Sequence, residues 1–134
     1  MASSQRPLEL ILARNMLSSL STPGVLVTYD ADIVFYNEAA GALLGRRFED
    51  IGPVPVSEWM AIFGPRDEGG EPVPFERQPL LAPLRAGRPA HARVLIGAAD
   101  GANHQIEASG LPIIGSDGFQ GALIFFWPVA EEKA

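Results

Sequence analysis

The chain has 134 residues, of which 47% are hydrophobic, and it carries a formal net charge of −6 at pH 7. That length and apolar content suffice for one domain with its own core. The chain has no cysteine, which excludes disulfides, thiolate metal sites and cofactors attached through sulfur. Its acidic balance disfavours nucleic acid as a partner, because a phosphate backbone binds clustered positive charge.

No signal for export or membrane insertion is visible in the sequence. The N-terminus lacks a positively charged region that leads into an apolar core. No apolar run approaches the roughly 20 residues that a bilayer span requires. We therefore expect a cytoplasmic protein with no membrane partner.

The first predicted element is an amphipathic helix near the N-terminus. Pro7 suits a first helical turn, and apolar residues follow at helical spacing, with Leu10 and Leu17 widening their stripe. This stripe has to be buried either on the helix's own sheet or against the same helix of a second copy. Both placements fit the pattern, and we favour the second, with residues 1–22 as a dimerisation segment. The dimer candidates are Leu8, Ile11, Leu12, Met16 and Leu20.

A hairpin and a short helix are predicted next. Two β-branched and aromatic runs, 25–29 and 33–36, flank the sequence Asp-Ala-Asp at 30–32. Asn37 follows at once and suits the N-cap of a helix over 38–44, and Gly45 suits its C-terminal stop. We assign Asn37 to capping rather than to catalysis.

The middle of the chain is less regular, with one convincing helix. Residues 46–70 are rich in proline and glycine, but 56–63 predicts a helix with an apolar face. A second stretch, 75–87, contains Pro79 and Pro83, and we expect a short irregular helix there that ends at Gly87.

The C-terminal third, 89–129, predicts three strands joined by tight turns at Asp-Gly pairs, 100–101 and 117–118. Pro112 predicts a bulge or an edge position, where the second of these strands stops regular pairing. The last strand is apolar on both faces, as a central strand covered on both sides would be. The two strand groups then join most simply into one five-stranded antiparallel sheet with helices on one face.

This arrangement, with its particular residues, resembles a PAS domain, the small sensory module of signalling proteins. The first half of the resemblance is residues 24–45, a strand, turn and strand followed by Asn37 and a helix ending in Gly45. The second half is carried by the apolar last strand and by the segments 70–74, 78–89, 99–101, 111–113 and 116–118.

The resemblance covers nearly the whole chain and implies an α+β fold with spatial strand order 2-1-5-4-3. It places the PAS domain at 23–130 and a tail at 131–134.

The cofactor classes of this family can be tested against the sequence. Photosensors that form a cysteinyl flavin adduct need a cysteine. Haem sensors of the family usually take their axial ligand from the helix before the third strand, here about 75–87, which has no histidine. His91 and His104 lie on predicted strands and are interpreted as strand residues rather than ligands. We expect neither haem nor cysteinyl flavin, and any cofactor stays unknown.

The predicted fourth strand has a face of small side chains, which we call the thin face. Ala108 and Gly110, beside Ile106, oppose a helical layer of large side chains. The two layers can interlock as a filled core, or leave an apolar cavity for a small molecule such as a fatty acid. Both interpretations stay open. The pocket candidates are Trp59, Met60, Phe63, Leu80, Leu81, Leu84, Ile106, Ala108, Gly110, Phe125 and Trp127.

The resemblance implies a non-enzymatic sensory or regulatory module that pairs with itself as a homodimer and with an unidentified signalling protein. A ligand between sheet and helices would shift the population between two arrangements and so alter dimer geometry. A ligand-free dimerisation or protein-interaction module is the alternative.

Catalysis has less support in the sequence. A small isomerase or hydrolase would need His104 or His91 to point into the helix-covered side, and no phosphate loop, nucleophile elbow or metal spacing supports it. No kinase, cyclase or DNA-binding segment is attached, so we expect either a standalone adaptor or a fragment of a longer protein.

Overall fold

The computed structural model describes residues 8–28, 30, 32–66, 71, 86–97, 103–115 and 118–129. Within them lie four helices: α1 (Leu8–Ser18), α2 (Glu38–Leu44), α3 (Phe48–Ile51) and α4 (Val56–Phe63). The same residues form seven strands: β1 (Gly24–Thr28), β2 (Asp32–Tyr36), β3 (Val54–Pro55), β4 (Pro65–Arg66), β5 (Ala90–Gly97), β6 (Asn103–Gly115) and β7 (Gly118–Pro128). None of the helices described is long and apolar enough to cross a membrane. The irregular helix expected over 75–87 lies outside the described residues, apart from its end.

One antiparallel sheet contains all seven of these strands, in the order β3-β2-β1-β7-β6-β5-β4. Its five long strands have the predicted spatial order 2-1-5-4-3, and the α+β class is confirmed. The prediction of five strands is wrong in number, because the two-residue strands β3 and β4 extend the sheet at its edges. Segments this short carry no alternating pattern that a sequence could reveal.

β7 is the central strand, as its two-sided apolarity predicts. It pairs with β1 along one edge and with β6 along the other. Ala122 and Phe126 are buried on the side of α2 and α4, which we call the inner face. Leu123 is buried on the opposite, outer face.

The outer face is covered in part by α1. Leu10, Ala13 and Leu17 of this helix are buried in one cluster with residues of β1, β2 and β7. α1 therefore packs on its own sheet. The five side chains predicted for a dimer contact point away from that cluster and are exposed: Leu8, Ile11, Leu12, Met16 and Leu20.

A β-bulge in β2 enlarges the apolar surface of the sheet on which α1 packs. Leu26 pairs with Phe35 and the next residue of β1, Val27, pairs with Ile33, which leaves Val34 as an extra residue. Val34 and Phe35 consequently both pack into the outer cluster, whereas Ile33 lies in the inner one. Simple alternation along β2 would have placed one of the two on the inner face.

β6 continues to pair at Pro112, so the expected end of regular pairing there is wrong, whereas the expected edge position is confirmed. Pro112 pairs with Ala122, and the shift in register comes later, between Ile113 and Ile114. β5 reaches only as far as Ala90, opposite Gly110, so β6 has β7 as its one paired strand at Pro112. A proline without an N–H is tolerated at such an edge.

The close pairing of β1 and β7 predicts a severe penalty for a side chain at Gly121. Its φ is +156°, and a Cβ there would overlap the carbonyl oxygen of Val27. Gly121→Ala should lower the free energy of unfolding by at least about 3 kcal/mol. Gly118→Ala is the control, because its φ of +97° is also strained but its Cβ would meet no atom within 4 Å. Its cost should be about 1 kcal/mol. Equal costs in urea unfolding would contradict the register.

Candidate functional site

A buried amide, that of Asn37, occupies the junction of the two layers. Its Oδ1 accepts a hydrogen bond from the Ala40 N–H at 3.0 Å and another from the Gly24 N–H at 3.1 Å. The first bond caps α2, as predicted, and Gly45 ends that helix in the left-handed conformation with φ 83°. The second bond fixes the start of β1 to the start of α2.

The nitrogen of the same amide holds the end of α1. Asn37 Nδ2 donates to the Leu17 carbonyl at 3.0 Å and to the Thr22 carbonyl at 2.8 Å, with a longer contact of 3.5 Å to the Leu20 carbonyl. These carbonyls belong to the last turn of α1 and the loop after it, where a helix leaves acceptors without partners. The sequence predicted the cap at Asn37 but not this tether, because the acceptors lie 15 to 20 residues upstream.

Asn37→Asp is expected to loosen α1 selectively. The carboxylate keeps the two acceptor contacts but cannot donate, so it faces carbonyl oxygens in a buried place, which costs about 3 kcal/mol. Trypsin should then cut after Arg14, which is exposed on α1, much faster than in the parent protein. Cleavage after Arg93 on β5 is the internal control. Equal acceleration at both positions would mean global unfolding and would contradict the tether.

Tyr36 is a second buried side chain that is held by a hydrogen bond, and it lies in the inner cluster beside α3. Its hydroxyl donates to the Arg46 carbonyl at 2.6 Å, and its ring meets Phe48 edge-on at 5.6 Å. Burial raises the pKa of Tyr36 to about 12, from an ordinary value of 10.0. Through its hydrogen bond to the Arg46 carbonyl, Tyr36 holds the turn that follows α2.

The raised pKa of Tyr36 makes a signed prediction about alkaline stability. The folded state favours the neutral phenol, so the contribution is complete below pH 10 and is lost as the pH rises towards 12. Tyr36→Phe should cost about 1 kcal/mol at pH 7. The stability difference between the two proteins, from urea unfolding at several pH values, should shrink between pH 10 and 12. A constant difference would show that the phenol ionises equally in both states.

The pocket candidates divide between the two faces of the sheet. Phe63, Ile106 and Ala108 are buried in the inner cluster, Trp59 packs against it, and Gly110 shares the face through its pairing with Ile124. The prediction that Phe125 and Trp127 line the same pocket is wrong. These two pair with Ser109 and Glu107, and so lie on the outer face. Leu80, Leu81, Leu84 and the side chain of Met60 lie outside the described residues.

The thin face includes more small residues than the sequence indicated. Ala90 pairs with Gly110, and Ala92 pairs with Ala108, so four small residues meet on two neighbouring strands. The alanines of β5 were missed because their register depends on the turn between β5 and β6. Alternating small residues at 90 and 92 were the available signal.

One polar atom in this layer has no hydrogen-bond partner among the described residues. The indole Nε1 of Trp59 is shielded from solvent and makes no hydrogen bond within the described part of the chain. The ring packs against Phe63 at 5.3 Å between centroids. Sequence reasoning treated Trp59 only as apolar bulk.

The two histidines lie on different faces. His91 is exposed on the outer face, 3.4 Å from Glu107 Oε1, with Arg93 3.8 Å from the same oxygen. His104 pairs with Ile96 and is half-buried on the inner side. Within the described residues, no three His, Asp or Glu side chains come close enough together to hold a metal ion.

A groove of about 690 Å³ runs beside α1 on the outer face. Its floor includes Leu26 and Val34, and its wall includes Leu8 and Ile11. Arg14 lies at the same groove, with its guanidinium 4.7 Å from the centre of the Phe35 ring. The exposed side of α1 thus continues into this groove, whose lining is mostly apolar, with Arg14 and Asn15 as polar members.

Solved structures similar to this chain are PAS domains. One, from a Colwellia psychrerythraea protein, is 18% identical with a TM-score of 0.66, over 89% of this chain and 97% of that one. The PAS domain of nitrogen regulation protein NR(II) from Vibrio parahaemolyticus is 18% identical with a TM-score of 0.61, over 88% and 98%. That of BvgS from Bordetella pertussis is 11% identical with a TM-score of 0.61, over 92% and 87%.

No protein-family model and no curated protein sequence matches the chain. The likeness to solved structures shows the fold, which is that of a PAS domain.

Proposed function

We propose that this chain, which has the PAS fold, is a non-enzymatic sensory or regulatory module of signal transduction. In this proposal it acts in the cytoplasm, as a homodimer, and passes its signal to a second protein. The observation that carries the proposal is the likeness to PAS domains, including that of a nitrogen regulation protein. The structure adds two features that suit such a role, one on each face of the sheet.

The outer feature is the exposed apolar side of α1. Leu8, Ile11, Leu12, Met16 and Leu20 are between 39% and 65% exposed, although they are all large hydrophobic residues. Together with the adjacent groove they form a continuous apolar surface, of the kind that marks an interaction site. A second copy of the same helix is the partner that this surface supports best, because two copies bury matching stripes.

The inner feature is the thin face of β5 and β6. Its four small residues lie in the layer where α4 supplies Trp59 and Phe63. We propose that an apolar small molecule binds between this face and the helices. The pocket set is Trp59, Phe63, Ile106, Ala108 and Gly110, with Met60, Leu80, Leu81 and Leu84 retained from the sequence.

Asn37 supplies the connection between the two features. It bonds to α1, β1 and α2 with a single side chain. A ligand that favours one packing of sheet and helices would shift the end of α1, and hence the dimer, by its differential affinity for the two states. α1 would be the output element of the domain.

A ligand-free dimerisation or protein-interaction module is the second candidate, and the exposed side of α1 supports it equally. An enzyme stays a remote third. The surroundings of the histidines give it little support, since His91 is exposed on the outer face and paired with Glu107. His104 does lie on the inner side, but it pairs with Ile96, and the next residue of β6 on that side is Ile106.

Charge on the exposed side of α1 is expected to separate the dimer. Leu12→Glu and Met16→Glu should each raise the dissociation constant at least about tenfold, since each removes a large apolar contact. Ala61→Glu is the control, because it places the same charge on the exposed side of α4. Light scattering over a range of concentrations measures the result. Dimers that survive both α1 substitutions would exclude this interface.

Extraction of the purified protein tests the inner ligand. An absorption spectrum and mass spectrometry of the organic extract should reveal one apolar compound at near-stoichiometric amount. Ala108→Leu should remove it at little cost in stability, because the added side chain occupies ligand space. In a filled core the same change overpacks and costs about 1–3 kcal/mol. Ser109→Leu, on the outer face, is the control. An empty extract with a destabilised Ala108→Leu would favour the ligand-free module.

A further inference from the structure

The unpaired indole of Trp59 is the anomaly that the proposed function leaves unexplained. Its Nε1 is buried, and no acceptor reaches it within the described residues. An indole N–H can only donate, so the group has no other way to be satisfied. Buried polar groups nearly always have a partner, and a missing one is explained by local strain or by a bound molecule, water or ligand, that the protein chain does not supply.

The position of Trp59 agrees with that interpretation. It lies on α4, packs against the inner cluster and contacts the ring of Phe63 at an interplanar angle of 56°. The cluster includes Ile106 and Ala108, so the donor belongs to the same layer as the thin face of the sheet. A ligand in this layer would meet apolar groups over most of its surface and one fixed donor.

We infer that the ligand of the inner site carries a hydrogen-bond acceptor, and that Trp59 Nε1–H is the group that recognises it. This inference rests on the proposed function, because it specifies the ligand of the same site. The ligand class is a neutral, largely apolar molecule with a carbonyl oxygen or a ring nitrogen. A pure hydrocarbon would leave the indole unpaired, and so would bind less well.

The described surroundings favour a neutral ligand, because the inner cluster contains no Lys or Arg among the described residues. Facing the helices along β5 and β6 are residues such as Val94, Ile96 and Ile106, with half-buried His104 near one end. A buried carboxylate needs a positive partner or several donors, and one neutral indole does not replace them. The acceptor end of a ketone, ester or heteroaromatic ring needs only one donor. We therefore expect the ligand of the inner layer to lack a free carboxylate, unlike the fatty acid suggested from the sequence.

A matched pair of probes tests the inference. 2-Acetylnaphthalene and 2-isopropylnaphthalene have the same ring and nearly the same shape, but only the first has an acceptor. The protein is the full chain carrying Trp127→Phe, which leaves Trp59 as the one tryptophan of two in the sequence. Trp127 lies on the outer face, away from the site. Proton–nitrogen correlation spectra then report one indole N–H signal during each titration.

The acetyl compound should bind about tenfold more tightly and move the indole proton signal downfield. The preference should vanish in Trp59→Phe, which keeps an aromatic ring and removes the donor. Equal binding of the two probes, with the indole signal moved alike or not at all, would overturn the inference and leave the proposed ligand site intact. Binding of neither probe up to its solubility limit would count against the inner site itself, and with it the inference.

Discussion

The side chain of Asn37 is the joint on which the other features depend. This one amide is 2% exposed and connects the last turn of α1, the following loop, the start of β1 and the first turn of α2. Hydrogen bonds in a buried network are costly to leave unmade, so the four segments are held in one arrangement. The helix on the outer face and the helices on the inner face are therefore not independent additions to the sheet.

Because Asn37 holds α1 on the sheet, the two apolar sides of this helix lie in different surroundings. Leu10, Ala13 and Leu17 complete the outer core, while the apolar residues on the other side of the helix are exposed; in the proposed function they contact a second copy. β1 alternates between the two clusters, with Val25 and Val27 inner and Leu26 outer. Close packing means that a volume change in one layer is felt in the other. In the proposed mechanism, ligand and dimer would be linked reciprocally through these contacts.

Local signals in the sequence predicted the parts of the fold that local chemistry decides. The cap at Asn37, the stop at Gly45 and the central position of β7 each follow from a few neighbouring residues. The strand register and the bulge in β2 escaped prediction, because they depend on how distant strands meet. Alternation separated Phe125 from Phe126, but only the pairing of Ala108 with Phe126 shows which of them shares the thin face. The unpaired donor of Trp59 likewise depends on what surrounds it in three dimensions.

The central claim is that α1 is held in the same cooperative core as the sheet, with Asn37 as the joint. Native-state hydrogen exchange tests it most directly, by comparing the amides of Ala13 and Leu17 with that of Leu123 in β7. The account predicts that all three exchange only through global unfolding, with the same free energy. Exchange of the α1 amides by a local opening, while Leu123 stays protected, would contradict it.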